Sequence, residues 1–191
     1  RITLGGLDED DVTAYVAEAG YDDVELARAL ASVTGGNPFF LIEALRHVDE
    51  SGGRWDPSTL PQGVREAVSR RLSRLPGETN KALAAAAVVG SRFPLALVES
   101  VVGDDLDEAC TAGSVIEEPG GRYRSNHALV RQSLLAELAS VRRMRLHQKI
   151  ATTLEAESGG HDELLAELAY HYFECAWAGN AVKAVEYCRR A

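Results

Sequence analysis

The stretch Gly35-Gly36-Asn37-Pro38-Phe39-Phe40-Leu41-Ile42-Glu43 joins two segments of helical periodicity and decides the fold of the first part of the chain. Gly35 or Gly36 can adopt the left-handed conformation that ends a helix. Asn37 suits an N-cap, and Pro38 suits the first helical position, where no amide hydrogen bond is required. We predict a tight corner with exposed backbone donors and a fixed Pro38 ring, against which a nucleotide base can lie. A plain helix–helix turn without a ligand is the more common cause of such a pattern.

The composition indicates a helical protein with a substantial core. The chain has 191 residues, 46% of them hydrophobic, and many of these are Ala and Leu, which favour helices. Its longest apolar run, Ala82–Val89, is too short to cross a bilayer, and we identify no signal-peptide pattern. Cys110, Cys175 and Cys188 are widely spaced, which favours reduced cysteines over a disulfide framework. We therefore predict a cytoplasmic protein with no membrane partner.

Charge and motif content disfavour several classes of function. The net charge of −9 argues against nucleic-acid binding by the overall field. A basic run, Arg142–Lys149, spreads around most of a helix and is expected to be a solvated or salt-bridging face. We find neither GxxxxGK followed by Ser or Thr nor GxSxG, and His161 and His171 lack the spacing of a metal site. We predict no catalytic residue and no metal ion in this chain.

Four short amphipathic helices are predicted in residues 1–75, where they would form a small bundle. An acidic turn at Asp8–Asp11 begins the first helix, and Gly20 ends it. The apolar stripes of the other three are Leu26, Leu30 and Val33; Leu41, Leu45 and Val48; and Val64, Val68, Leu72 and Leu75.

Residues 76–138 match the order of a winged-helix domain, with three short helices followed by a β-hairpin. The helices are expected at Thr79–Val89, Pro94–Val102 and Leu106–Thr111, and the strands at Ser114–Glu117 and Arg122–Ser125. The helix before the hairpin would meet DNA, but its segment carries Asp104, Asp105, Asp107 and Glu108 and no basic residue. We expect this domain to pack within the protein rather than to read DNA.

Residues 139–191 have the small-and-aromatic pattern of TPR-like helical repeats. The last two helices are expected at about Asp162–Ala178 and Ala181–Arg190, joined by Gly179-Asn180. One such pair cannot bury both of its faces, and roughly three or more repeats are usually needed. We therefore expect the chain to be a fragment of a larger protein, of mainly α class.

His127 is a second candidate binding residue, because it falls between the predicted hairpin and the next helix. The start of a helix offers amide donors, and an imidazole there can help to hold an anion. A helix-capping or core histidine with one hydrogen bond explains the same position equally well.

Several blocks, in order along nearly the whole chain, resemble the middle of the large ATP-binding LuxR-type transcriptional regulators. These regulators belong to the STAND class of signal-transduction ATPases, which is related to the AAA fold. The blocks are Thr34–Leu41 with Glu43; Leu60-Pro61, Val64-Arg65 and Arg71-Leu72; Ala85–Gly90 with Phe93; His127 with Leu129–Arg131; and Arg143 with Leu146-His147 and Ile150-Ala151.

The resemblance implies a helical lid in residues 1–75, a winged helix in 76–138 and the start of a helical-repeat sensor in 139–191. Gly36, Asn37 and Pro38 match a Gly-x-Pro motif whose Pro packs on adenine. His127 matches the histidine of a Met-His-Asp-like motif, which touches the β-phosphate of bound ADP. The Met and the Asp of that motif are absent from this sequence.

The resemblance further implies a non-catalytic regulatory fragment that couples nucleotide state to domain arrangement. The full-length protein would bind ATP or ADP and hydrolyse ATP slowly, whereas the fragment would bind it weakly or not at all. Its partners would be its own nucleotide-binding core and sensor domains, and other copies through homo-oligomerisation. DNA would be read by a separate helix-turn-helix domain. Two alternatives stay open: the same module attached to an adenylate cyclase or a protein kinase, and a helical-repeat scaffold for protein–protein interaction.

Overall fold

The computed structural model describes residues 5–56, 59, 61–103, 106, 110, 115–125, 128–158 and 162–191. These residues are mainly helical and include a small antiparallel sheet of three strands, which confirms the predicted mainly α class. None of the helices in this part of the chain combines the length and the apolar character that crossing a bilayer requires.

The described elements are ten helices, three strands and two 3₁₀ turns. The helices are α1 (Glu9–Glu18), α2 (Val24–Thr34), α3 (Pro38–Glu50), α4 (Gln62–Leu72), α5 (Gly77–Val89), α6 (Leu95–Val102), α7 (Ala128–Glu137), α8 (Ser140–Ser158), α9 (Leu165–Glu174) and α10 (Ala181–Arg190). The strands are β1 (Arg92–Pro94), β2 (Val115–Glu118) and β3 (Arg122–Ser125), and 3₁₀ turns occur at Asp162–Leu164 and Ala176–Ala178.

The described residues divide into two compact units. The first unit contains those up to Arg74 together with 128–133, and the second contains 75–125 and 134–191. The predicted division into 1–75, 76–138 and 139–191 assigns functions to the domains and stays a prediction.

The first unit has the four helices that the apolar stripes predict. Asp8 and Asp23 accept hydrogen bonds from the first-turn amides of α1 and α2, and this capping fixes where both helices begin. One core between α1, α2 and α3 is composed of Val12, Val16, Leu26, Ala27, Leu30, Leu41, Ala44, Leu45 and Val48. Val33, predicted on the stripe of α2, is only partly buried and is not part of this core. Trp55 packs against this core from the segment after α3.

The second unit contains the predicted hairpin and a strand that the sequence did not indicate. Strands β2 and β3 pair in antiparallel register, and β1 pairs with the other edge of β3, so the sheet order is β1-β3-β2. Phe93 of β1 is opposite Tyr123, and the two rings stack with centroids 6.3 Å apart. The predicted helix start at Pro94 is wrong by one residue, because Pro94 ends the strand and α6 begins at Leu95. Most of the predicted helix Leu106–Thr111 lies outside the described residues.

The predicted single helix Asp162–Ala178 is wrong in its extent. It is divided into a 3₁₀ turn, helix α9 and a second 3₁₀ turn. Cys175 is fully buried where α9 ends, and its carbonyl oxygen accepts a hydrogen bond from the Asn180 carboxamide at 3.3 Å. This contact from beyond the turn satisfies a carbonyl at the end of the helix, and it allows the chain to reverse into α10.

The carboxylate of Glu155 joins α8, α9 and α10. It accepts hydrogen bonds from Tyr172 at 2.6 Å, Tyr187 at 2.8 Å and Lys183 at 2.6 Å. The rings of Tyr172 and Tyr187 stack face to face with centroids 5.3 Å apart. Burial alone would raise the pKa of Glu155, but the hydrogen bonds from Lys183 and the two tyrosines outweigh burial and hold this pKa below its usual value. Burial and the Glu155 carboxylate together raise the pKa of Tyr172 to about 12.

We expect Glu155→Ala to lower the free energy of unfolding by about 1–3 kcal/mol, because two tyrosine hydroxyls and an ammonium group lose their common acceptor. Urea unfolding followed by circular dichroism measures this loss. Glu157→Ala, at an exposed position on the same helix, is the matched control and should cost much less. Equal stability of the two variants would contradict the role assigned to Glu155.

Candidate functional site

The Gly36-Asn37-Pro38 corner is held by backbone geometry on one side and by a side-chain cap on the other. Gly35 ends α2 with φ of 59°, and Gly36 follows with φ of 70°, so both have left-handed conformations that favour glycine. Asn37 is the N-cap of α3 and Pro38 is its first residue. The structure therefore forms the corner that the sequence predicts.

The backbone donors at this corner are more fully used than the sequence suggests. The Asn37 carboxamide oxygen accepts hydrogen bonds from the amides of Phe39 at 3.0 Å and Phe40 at 3.3 Å. The amide of Asn37 itself donates to Thr34 at 3.2 Å. The expectation of exposed donors is thus wrong for these three amides. The Asn37 side chain accepts from two of them and the Thr34 carbonyl accepts from the third. What the corner presents to a ligand is mainly apolar.

Gly36 lies directly against the backbone of Leu7, in the segment before α1. The Leu7 amide donates to the Gly36 carbonyl at 2.8 Å. A Cβ at position 36 would overlap the Leu7 carbonyl oxygen and would lie 2.8 Å from the Leu7 nitrogen. Only glycine allows this approach, which anchors the corner to the start of the unit.

The surface beside the corner exposes three apolar side chains. Pro38 is exposed, and Phe39 and Ile42 are 46% and 51% exposed. Pro38 and Ile42 are four residues apart, so they lie on the same face of α3. Since the rigid Pro38 ring is the first residue of this face, a flat aromatic ligand could rest on it without a change in the backbone.

Asn126 and His127 lie outside the described residues. The segment that follows, residues 128–133, belongs to the first unit, as Gly36, Asn37 and Pro38 do. Leu129 and Ser133 are fully buried in this segment. The chain is therefore part of the same unit as the corner from residue 128 to residue 133.

A cleft of about 460 Å³ between α3 and α4 escaped the sequence analysis. It is lined by residues that include Phe39, Glu43, Arg46, Gly63 and Arg70. The Glu43 carboxylate is 12% exposed and pairs with Arg46 at 2.7 Å. Gly63 admits this carboxylate, because a Cβ there would lie 2.6 Å from the carboxyl carbon of Glu43. The ion pair with Arg46 satisfies the Glu43 carboxylate, so the cleft does not offer this charge to a ligand.

A buried histidine pair in the second unit was also missed. His147 and His171 are each 2% exposed, and their Nδ1 atoms are 2.9 Å apart. Burial is the main cause that lowers the pKa of each ring to about 4, and Arg143 adds to the effect on His147. Both imidazoles are therefore neutral at pH 7, and one ring nitrogen donates to the other. In the part of the chain that the structure describes, no three His, Cys, Asp or Glu side chains are grouped to hold a metal ion.

No protein-family model matches this chain, and a search of curated proteins finds no matching relative.

We expect Gly36→Ala to destabilise the first unit by more than about 3 kcal/mol, because it combines a left-handed alanine with loss of the Leu7 hydrogen bond. The matched control is Gly52→Ala, which has the same φ of 70° but has no atom within 4 Å of the added Cβ. It should cost only about 1–2 kcal/mol. Urea unfolding followed by Trp55 fluorescence, in a Trp177→Phe background, compares the two. Equal losses would show that the Leu7 contact is unimportant.

We expect the stability of the chain to fall as the pH drops from 6.5 towards 4. The unfolded histidines have a pKa near 6.5 and the folded ones near 4, so the unfolded state binds more protons in this window. The contribution of the two histidines to the free energy of unfolding is therefore fully present above pH 6.5. Below that pH it decreases by at most about 1.4 kcal/mol per pH unit for each histidine. The groups that face His147 are Arg143, Glu174, at 4.0 Å, and the rings of Tyr170 and His171.

Urea unfolding at several pH values between 7 and 5 measures this dependence. The double variant His147→Gln, His171→Gln should have a flatter pH profile than the unaltered chain. Identical profiles for the two proteins would mean that the pair does not titrate on unfolding.

Proposed function

We propose that this chain is a non-catalytic regulatory part of an ATP-dependent transcriptional regulator of the large LuxR type, within the STAND class. In this role it couples the nucleotide state of a neighbouring core domain to the arrangement of the domains. The observation that carries the proposal is the corner at Gly36, Asn37 and Pro38, where the Leu7 contact and the Asn37 cap hold the backbone and the apolar ring of Pro38 is exposed.

The geometry of the corner supports contact with an adenine ring rather than with phosphate. Asn37 already uses the amides of Phe39 and Phe40, which removes donors that an anion would need. Pro38, Phe39 and Ile42 supply an apolar surface on which a flat ring can lie. The Leu7 contact at Gly36 holds that surface in place before a ligand binds, which lowers the entropic cost of binding.

Membership of residues 128–133 in the first unit supports a shared ligand for Pro38 and His127. We assign Pro38 to the adenine and His127 to the β-phosphate of ADP. In the ADP-bound state both contacts would keep the domains closed. ATP and an inducer would favour an open arrangement in which the winged helix separates and the protein assembles into homo-oligomers.

The finer fold assignments belong to the same proposal. We assign α5, β1, α6 and the β2–β3 hairpin to a winged helix, which is supported by the pairing of β1 with the hairpin. We assign α9 and α10 to a TPR-like repeat, which is supported by the stacked Tyr172 and Tyr187 rings between them. DNA binding is assigned to a separate domain of the longer protein.

We expect Pro38→Ala, in the longer protein to which we assign this chain, to weaken ADP retention about fivefold, because about 1 kcal/mol of ring contact is lost. His127→Ala should weaken retention too, and it should raise basal activity in the absence of inducer. Calorimetry with ADP and a transcription assay measure the two effects. The isolated chain should bind ATP very weakly or not detectably.

The matched control is Pro76→Ala, which alters an exposed proline at the start of another helix, α5 of the second unit. It should leave ADP affinity unchanged. Unaltered affinity in Pro38→Ala would refute the adenine contact, and a His127→Ala protein that stays repressed would refute the switch. A conformation that is insensitive to nucleotide would instead support the scaffold alternative.

A further inference from the structure

An open groove of about 540 Å³ lies between the start of α8 and the end of α9, within the second unit. The first wall consists of Ser140, Arg143 and Met144, and the second of Phe173, Glu174, Ala176 and Trp177. Nothing in the nucleotide-dependent role proposed above uses this groove, and its residues are remote in sequence from Pro38.

The groove carries the most exposed large apolar side chain among the described residues. Trp177 is 93% exposed, and Phe173 is 64% exposed. Tyr170, one turn earlier on the same side of α9, is 48% exposed. Keeping three aromatic side chains in water is unfavourable, and tryptophan is among the residues that most often dominate the energy of a protein interface.

The backbone that presents Trp177 is held in place. In its 3₁₀ turn the Ala178 amide donates to Cys175 at 2.9 Å, and the Gly179 amide donates to Ala176 at 3.2 Å. The Asn180 carboxamide adds a bond to the Cys175 carbonyl at 3.3 Å. Because Cys175 is fully buried, the turn is anchored to the core of the unit. The indole can therefore be contacted without the cost of ordering a loop.

The α8 side of the groove is positively charged, and the α9 side carries one carboxylate. Arg143 is exposed, and it forms no ion pair with any carboxylate of the described residues. Glu174 is the acidic residue of the lining, and its carboxylate lies 4.0 Å from the His147 ring, which is neutral at pH 7. Arg142 and Arg145 add exposed positive charge on the same two turns of α8. The net charge of −9 is screened beyond about 8 Å at physiological salt, so the three arginines of α8, which outnumber Glu174, decide which charge is attracted near the groove.

We propose that this groove binds a short segment of a partner protein in which an apolar side chain lies next to a carboxylate. The apolar side chain packs on Trp177 and Phe173. The carboxylate accepts two parallel hydrogen bonds from the Arg143 guanidinium, a geometry that lysine cannot reproduce. The partner is therefore an acidic peptide with an aromatic or aliphatic anchor.

Selection from a displayed library of random peptides, about a dozen residues long, tests this on the complete 191-residue chain. We expect the retained peptides to be enriched in Asp or Glu beside Leu, Phe or Trp. Their affinity, measured by fluorescence polarisation, should fall about tenfold or more for Trp177→Ser and for Arg143→Gln. Arg142→Gln removes the same charge next to the groove but outside its lining, and as the matched control it should weaken binding much less than Arg143→Gln. Circular dichroism checks that each variant is folded.

A second readout locates the bound peptide. In a Trp55→Phe background, Trp177 is the only tryptophan, and peptide binding should protect it from quenching by acrylamide. The proposal is overturned if the selection yields no acidic enrichment, or if Trp177→Ser and Arg143→Gln bind as well as the unaltered chain. Protection of Trp177 that rises with protein concentration, together with a dimer in sedimentation, would also overturn it by making a second copy the occupant.

Discussion

The close approach of the Leu7 backbone to Gly36 is the constraint on which the first unit depends. It ties the segment before α1 to the corner between α2 and α3, two parts of the chain that are distant in sequence. Since a side chain at position 36 would overlap a carbonyl oxygen, the packing of this corner is specified by the lack of a Cβ atom. The direction in which α3 begins, and hence the outward position of Pro38 and Phe39, follows from this contact.

Capping by Asn37 determines what kind of ligand the corner can accept. A helix start with unsatisfied amides attracts anions, whereas here the carboxamide occupies the amides of Phe39 and Phe40. The contact that the corner can still offer a ligand is therefore apolar. Within the proposed function, this separates two tasks: the corner holds the base, and the phosphates are held by His127 and a neighbouring core domain.

The second unit pairs its polar groups with one another and leaves three aromatic side chains, Tyr170, Phe173 and Trp177, exposed. Glu155 serves three donors between α8, α9 and α10, and two neutral imidazoles pair below the surface of α9. These contacts help to specify how the three helices align, because the polar groups have these partners only in this packing. Trp177 and Phe173 take no part in them. Their exposure beside the positively charged side chain of Arg143 is consistent with a surface that is completed by another molecule.

The sequence by itself determined the helices of the first unit, the β2–β3 hairpin and the Gly-Asn-Pro corner. Periodicity, capping residues and turn glycines act between residues a few positions apart, so they can be recognised without coordinates. Only the tertiary structure decided the pairing of β1 with β3, the break of the last predicted helix at Cys175, and the contact of His147 with His171. Each of these joins residues that are distant in the sequence or depends on a contact from beyond a turn. A three-residue strand or a lone histidine carries no local signal, because its role is set by the neighbour that folding brings to it.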